Sequence, residues 1–120
     1  MCQQTTMAPR RERRIKEYIE LNIAESERMK RLFKVVGLSD AHFRRQFKAS
    51  FGETPSMYVM RRRAEMACEL MKTTDFHCYR IAAECGFYDG VHFAKMFRKV
   101  MGQNPTVWRR EHGHVEQPHL

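Results

Sequence analysis

Apolar residues along this chain fall at helical spacing. Met29, Leu32, Phe33 and Val36 stand at i, i+3, i+4 and i+7, and Cys78, Ile81, Ala82 and Cys85 repeat that spacing 49 residues later. Each set marks one face of a helix. Gly37 and Gly86 follow, where a left-handed backbone ends a helix and favours glycine. Ser39 and Asp89 then stand where a side-chain oxygen caps the next helix. Its buried face is predicted to carry Phe43, Phe47 and Phe51 in the first case, and Phe93, Phe97 and Met101 in the second. Gly52 and Gly102 stop these helices, and Pro55 and Pro105 suit the first turn of the helix that follows.

The two stretches are copies. With residues 39–58 laid against 89–108, His42 meets His92, Phe43 meets Phe93, Phe47 meets Phe97, Gly52 meets Gly102 and Pro55 meets Pro105. Arg45 with Lys95, Lys48 with Arg98 and Tyr58 with Trp108 are same-type pairs. The offset changes by one between the glycine and the second helix, Gly37-Leu38-Ser39 against Gly86-Phe87-Tyr88-Asp89. A turn is where repeats tolerate a length difference. Each copy therefore reads as helix, tight turn, helix.

Two further helices are expected. Ile15, Tyr18 and Ile19 give an apolar face from about residue 12 to 23. Met57, Met60, Ala64, Ala67, Cys68 and Met71 give another from about 56 to 72, with no Gly or Pro inside. That second helix is about 25 Å long at 1.5 Å per residue, and should be a stiff connector. A short last helix starts near Pro105 and carries Trp108. No alternating segment or hairpin dipeptide supports a strand. The expected organisation is all-α with seven helices: a loose tail (1–11), a first helix-turn-helix unit (12–55), a linker helix (56–72), a second unit (73–111) and a loose tail (112–120).

Charge adds the partner. Against 14 Asp+Glu there are 22 Lys+Arg, a net charge of +8 on 120 residues. A small basic protein invites an anionic partner: nucleic acid, acidic lipid or an acidic protein. No apolar run reaches the roughly 18 residues that span a bilayer, and the polar N-terminus lacks a signal-peptide core. The four cysteines form no Cys-x-x-Cys pair, and Cys68, Cys78 and Cys85 fall on apolar stripes. Reduced, buried thiols in the cytoplasm are expected.

With its phenylalanines buried, the second helix of the first unit turns Asp40, Ala41, Arg44, Arg45 and Lys48 outward. The second unit turns out Gly90, Val91, Ala94, Lys95 and Arg98, with His92 nearby. A helix with such a face fits the DNA major groove, where base edges carry a distinct donor and acceptor pattern. Two of them on one stiff connector are expected to meet successive grooves, about 34 Å apart.

These residues carry a family resemblance. Ile81-Ala82-Ala83-Glu84-Cys85-Gly86-Phe87, then Phe93, Phe97-Arg98-Lys99, Gly102, Pro105 and Trp108-Arg109 resemble the pattern of the AraC/XylS transcriptional regulators' DNA-binding domain. Gly37-Leu38-Ser39, His42-Phe43, Phe47-Lys48, Gly52, Pro55 and Tyr58 match in the first half, and Arg63, Glu65 and Ala67 in the connector. The resemblance runs from Arg14 to Arg110. It implies a seven-helix, two-unit fold that reads adjacent major grooves in bacterial double-stranded DNA, with activation through RNA polymerase. It places base contacts at Ala41, Arg44 and Arg45, and at Gly90, Val91, His92 and Lys95. Phosphate contacts are assigned to Lys48 and Arg98.

Some positions depart from the family pattern. Arg28 and His77 stand where the family usually has Ser before a helix, so Ser26 or Asp75 is expected to cap from one or two residues earlier. Phe33 replaces a usual Ala at the close crossing of the first unit, and Arg80 a common Glu. No separate effector-binding domain fits into this chain. The starting Met and polar leader favour a stand-alone regulator of the MarA/SoxS kind over a piece of a longer one. No phosphate loop, His-Glu-x-x-His or serine nucleophile motif is present, so no catalysis, cofactor or metal is expected. The alternative is a basic helical module for RNA or protein, without sequence-specific DNA readout.

Overall fold

Local signals set the helix ends. In a computed structural model that describes residues 6–113, eight helices are found: α1 (Pro9–Leu21), α2 (Ser26–Lys30), α3 (Leu32–Val35), α4 (Asp40–Phe51), α5 (Pro55–Thr73), α6 (Cys78–Glu84), α7 (Gly90–Met101) and α8 (Pro105–His112). No strand occurs among the described residues. Ser39 Oγ accepts the His42 N–H at 3.2 Å and Asp89 Oδ1 accepts the His92 N–H at 2.8 Å, so both second helices are capped as read. Gly37, Gly52, Gly86 and Gly102 all have positive φ.

The chain divides into two compact units, one ending at Val59 and the other beginning at Met60. The boundary falls inside α5, so that helix contributes to both. In the first unit, Ile15, Ile19, Ile23, Leu32, Phe43, Phe47, Tyr58 and Val59 are buried. Phe47 stacks on Phe51 at 4.2 Å and meets Tyr58 edge-on at 5.4 Å, which ties α4 to the start of α5. In the second unit, Ala64, Ala67, Cys68 and Met71 of α5 join Ile81, Ala82, Cys85, Phe87, Phe93, Phe97 and Trp108 in one core. The Arg109 guanidinium donates to the carbonyls of Thr74 and Phe76, tying α8 to the loop before α6.

The count is eight helices rather than seven because the first helix of the first unit is broken. Arg31, at φ −110° and ψ 21°, separates α2 from α3. Its N–H bonds the Arg28 carbonyl and its own carbonyl accepts from Lys34, both three-residue steps. In the second unit the matching helix is continuous and Ala82 is 2% exposed. Phe33 stands at that position in the first unit and is only half-buried.

Other expectations change as well. The helix α1 begins at Pro9, three residues before the expected start, because proline suits a first turn and Glu12 favours the helix's positive end. Met7 is buried and its N–H donates to Ser50 Oγ at 2.6 Å, so Met7 is tied to α4 and residues 9–11 belong to α1 rather than to a loose tail. His112, expected in the tail, ends α8 with its ring stacked on Trp108 at 4.8 Å. The outer parts of both expected tails, 1–5 and 114–120, lie outside the described residues, as does Cys2. Neither Ser26 nor Asp75 caps a helix. Glu25 and His77 hold the N-cap positions without a side-chain bond, since the backbone turns helical only after them.

The cysteines described are free. Burial pushes the Cys85 thiol up to about 12 and the Cys68 thiol up to about 11. Burial lowers the Arg63 guanidinium in turn, against an opposing pull from Cys85. Only the thiolate is nucleophilic, so raised values mean little reactivity near neutrality.

Two measurements test this fold. A Cβ at Gly102 or at Gly90 meets nothing within 4 Å, but only Gly102 has a positive φ, +81°. Gly102→Ala should therefore cost about 1–2 kcal/mol, while Gly90→Ala should be neutral or stabilise by up to about 1 kcal/mol. Equal shifts in the urea midpoint would contradict the left-handed turn. Separately, a Cys2→Ser, Cys78→Ser variant should react with a disulfide reagent at pH 8 about a hundredfold more slowly when native than in strong denaturant. Matching rates would show the two remaining thiols to be accessible.

Candidate nucleic-acid interface

The buried stripe of α4 dictates what faces outward. Phe43 and Phe47 are at most 2% exposed. At 3.6 residues per turn, Ala41, Arg44, Arg45 and Lys48 share the opposite side at i, i+3, i+4 and i+7. All four are exposed. Arg44 Nε bonds Asp40 Oδ1 at 3.1 Å, a surface pair that the arginine can give up at small cost. Among the described residues no hydrogen bond or ion pair holds the side chains of Arg45 and Lys48. His42 is also exposed, and its Nε2 receives Gln46 Nε2 at 3.2 Å.

The second unit repeats the arrangement with different chemistry. Burial of Phe93 and Phe97 leaves Val91, Ala94, Lys95 and Arg98 on one side of α7. Gly90, Val91, Lys95 and Arg98 are exposed, Ala94 only in part. The helix has no acidic residue, and Arg98 and Lys99 fill its last turn. His92 differs from the other predicted base-contact residues. It is half-buried, its Nδ1 accepts the Tyr88 N–H at 3.3 Å, and its ring meets Phe87 at 5.8 Å.

The fold thus gathers Ala41, Arg44, Arg45 and Lys48 on α4, and Gly90, Val91, Lys95 and Arg98 on α7. Arg61 and Arg62 are engaged within the second unit: both bond Glu65, Arg61 at 3.1 Å. Arg63 is buried. Sequence reading missed Gln46, buried among the charges of α4, whose Oε1 has no hydrogen-bond partner among the described residues. It also missed the buried Asn22, which donates to the Tyr18 carbonyl and accepts from Arg28. Tyr79 and Tyr88 were missed too, at 71% and 90% exposed. Helical spacing in the sequence flagged none of these. The extra residue in the second turn was the one available signal, for Tyr88. No group of three or more His, Cys, Asp or Glu side chains suited to a metal ion occurs among the described residues. Among the described residues no helix is long and apolar enough to cross a membrane.

Comparison with known proteins agrees with this geometry. Residues 32–111 match the family described as a helix-turn-helix domain. The chain is 29% identical over 115 residues to the MmsAB operon regulatory protein of Pseudomonas aeruginosa, covering 92% of this chain and 38% of that protein. It is 33% identical over 93 residues to the HTH-type transcriptional activator RhaS of Escherichia fergusonii, covering 78% of this chain and 34% of that one. The chain thus spans little more than a third of these relatives' length. Among solved structures, it superposes on a transcriptional regulator from Chromobacterium violaceum, titled as having an AraC-type DNA-binding domain. The TM-score is 0.77 at 27% identity, over 92% of this chain and 96% of that one. With paired capped helices, paired buried phenylalanines and this match across most of its length, the chain belongs to the AraC/XylS family of helix-turn-helix DNA-binding domains.

Proposed function

We propose that this chain binds double-stranded DNA sequence-specifically and regulates transcription, laying α4 and α7 each in a major groove. The observation that carries the reading is the exposed face of α4, where Arg44 and Arg45 stand clear of the buried Phe43 and Phe47. A guanidinium grips guanine O6 and N7 with two bonds, which discriminates by about 1–3 kcal/mol. Ala41 and Val91 offer methyl groups to thymine. Lys95 donates to a base edge, and Gly90 lets backbone approach the groove. His92 presents to a base only what its bond to Tyr88 leaves free. Lys48 and Arg98 hold phosphates, which fix register without reading sequence.

Activation is the sense of regulation we favour, with RNA polymerase as the protein partner. That the Escherichia fergusonii relative is a transcriptional activator supports it. The relatives named above are a regulatory protein and a transcriptional activator, which supports regulation rather than catalysis.

A preferred site comes from selection out of a random duplex pool. On that site, Arg45→Ala should lose about 1–3 kcal/mol and relax preference at one or two base pairs, with little effect on random duplex. Lys48→Ala should weaken both duplexes alike and reduce the slope of log K against log salt by about 0.9. Identical behaviour of the two variants on both DNAs would remove the division between reading and holding. A single-stranded RNA competitor that displaces the duplex would favour the RNA-binding alternative.

A further inference from the structure

Tyr88 is the added residue of the second turn, and the fold makes no use of its side chain. The first unit passes from Gly37 to its capping residue through Leu38 alone, whereas the second passes from Gly86 to Asp89 through Phe87 and Tyr88. Phe87 takes the buried place. It is 5% exposed, packs on Phe93 at 4.9 Å and donates its N–H to the Ala82 carbonyl at 2.9 Å. Tyr88 is 90% exposed. Its backbone is nevertheless fixed from both sides. Its own N–H is held by His92 Nδ1 at 3.3 Å, and the next residue, Asp89, caps α7. A large ring is thus carried in water on an anchored backbone, one residue ahead of the cap and three ahead of Val91, itself 80% exposed.

We infer that Tyr88 is a DNA contact: its phenolic O–H donates to a phosphate oxygen of the strand beside the bases that α7 faces. The bond from its backbone N–H to His92 Nδ1 fixes where the ring leaves the chain. The inference rests on the duplex-DNA reading above. Tyrosine is a regular donor to DNA phosphates, and such a bond sets register rather than sequence. A phenol is also uncharged, so unlike Lys48 it displaces no counterion. That difference gives it a signature of its own.

Tyr88→Phe, which removes only the hydroxyl, should lower affinity about tenfold on preferred and random duplexes alike. The salt slope should stay unchanged, as should the thermal midpoint of the free protein. A duplex carrying one neutral methylphosphonate at the contacted position should bind the original chain and Tyr88→Phe equally. Tyr88→Phe binding like the original chain would overturn the assignment while leaving the DNA reading intact. So would a loss confined to Tyr88→Ala, or a change in salt slope. Failure of the original chain to bind any duplex would instead remove the reading on which the inference rests.

Discussion

Everything outward on this protein is set by what two pairs of phenylalanines do inward. Phe43 and Phe47 on α4, and Phe93 and Phe97 on α7, are at most 2% exposed. Each buried ring stabilises by about 1.5–3 kcal/mol relative to exposure. Turning either helix on its axis would drown two rings and bring cations into the core, a cost that exceeds any single surface interaction. The orientation of α4 and α7 is therefore fixed by packing. The residues at the reading positions other than His92 are then free to vary, because none of them is buried. A hydrophobic stripe acts here as a mount for a variable polar one.

The ends of these helices serve the same purpose. Ser39 and Asp89 fix where α4 and α7 begin, and Gly52 and Gly102 fix where they end. A cap displaced by one residue would turn the polar stripe by about 100° and move it 1.5 Å along the axis. Ala41 or Val91 would then no longer share the outward face with Arg45 or Lys95. The capped turn and the aromatic stripe act as independent locks on one register.

Both locks were legible in the residues. A four-residue aromatic period, a Ser or Asp just before it and a Gly just after it are local signals, and they appear twice. The break at Arg31 was not legible, because its three-residue hydrogen bonds leave no mark on the apolar spacing of residues 29–36. The early start of α1 was hidden because its first residues read as a charge run, while the bond from Met7 to Ser50 spans 43 positions. The buried Gln46 and Asn22 escaped for a related reason. Each is a polar residue whose burial depends on partners that periodicity does not describe. Among the candidate reading residues, exposure followed from spacing at Ala41, Arg44, Arg45, Gly90, Val91 and Lys95. Only His92 is drawn inward, by the extra turn residue whose N–H it accepts.

The two units share one frame yet carry unequal chemistry on it. On α4, Arg44 and Arg45 are forked donors able to tell guanine from other bases. On α7, Gly90 has no side chain, Val91 has only methyl groups, and Lys95 is a point charge on a flexible stem. The second helix is also the more purely cationic, with Lys95, Arg98 and Lys99 and no acid, whereas Asp40 partly offsets the first. A surface of that kind attracts any duplex and discriminates weakly. On the proposed reading, the same physical frame would put sequence choice mainly on the first unit and general affinity on the second.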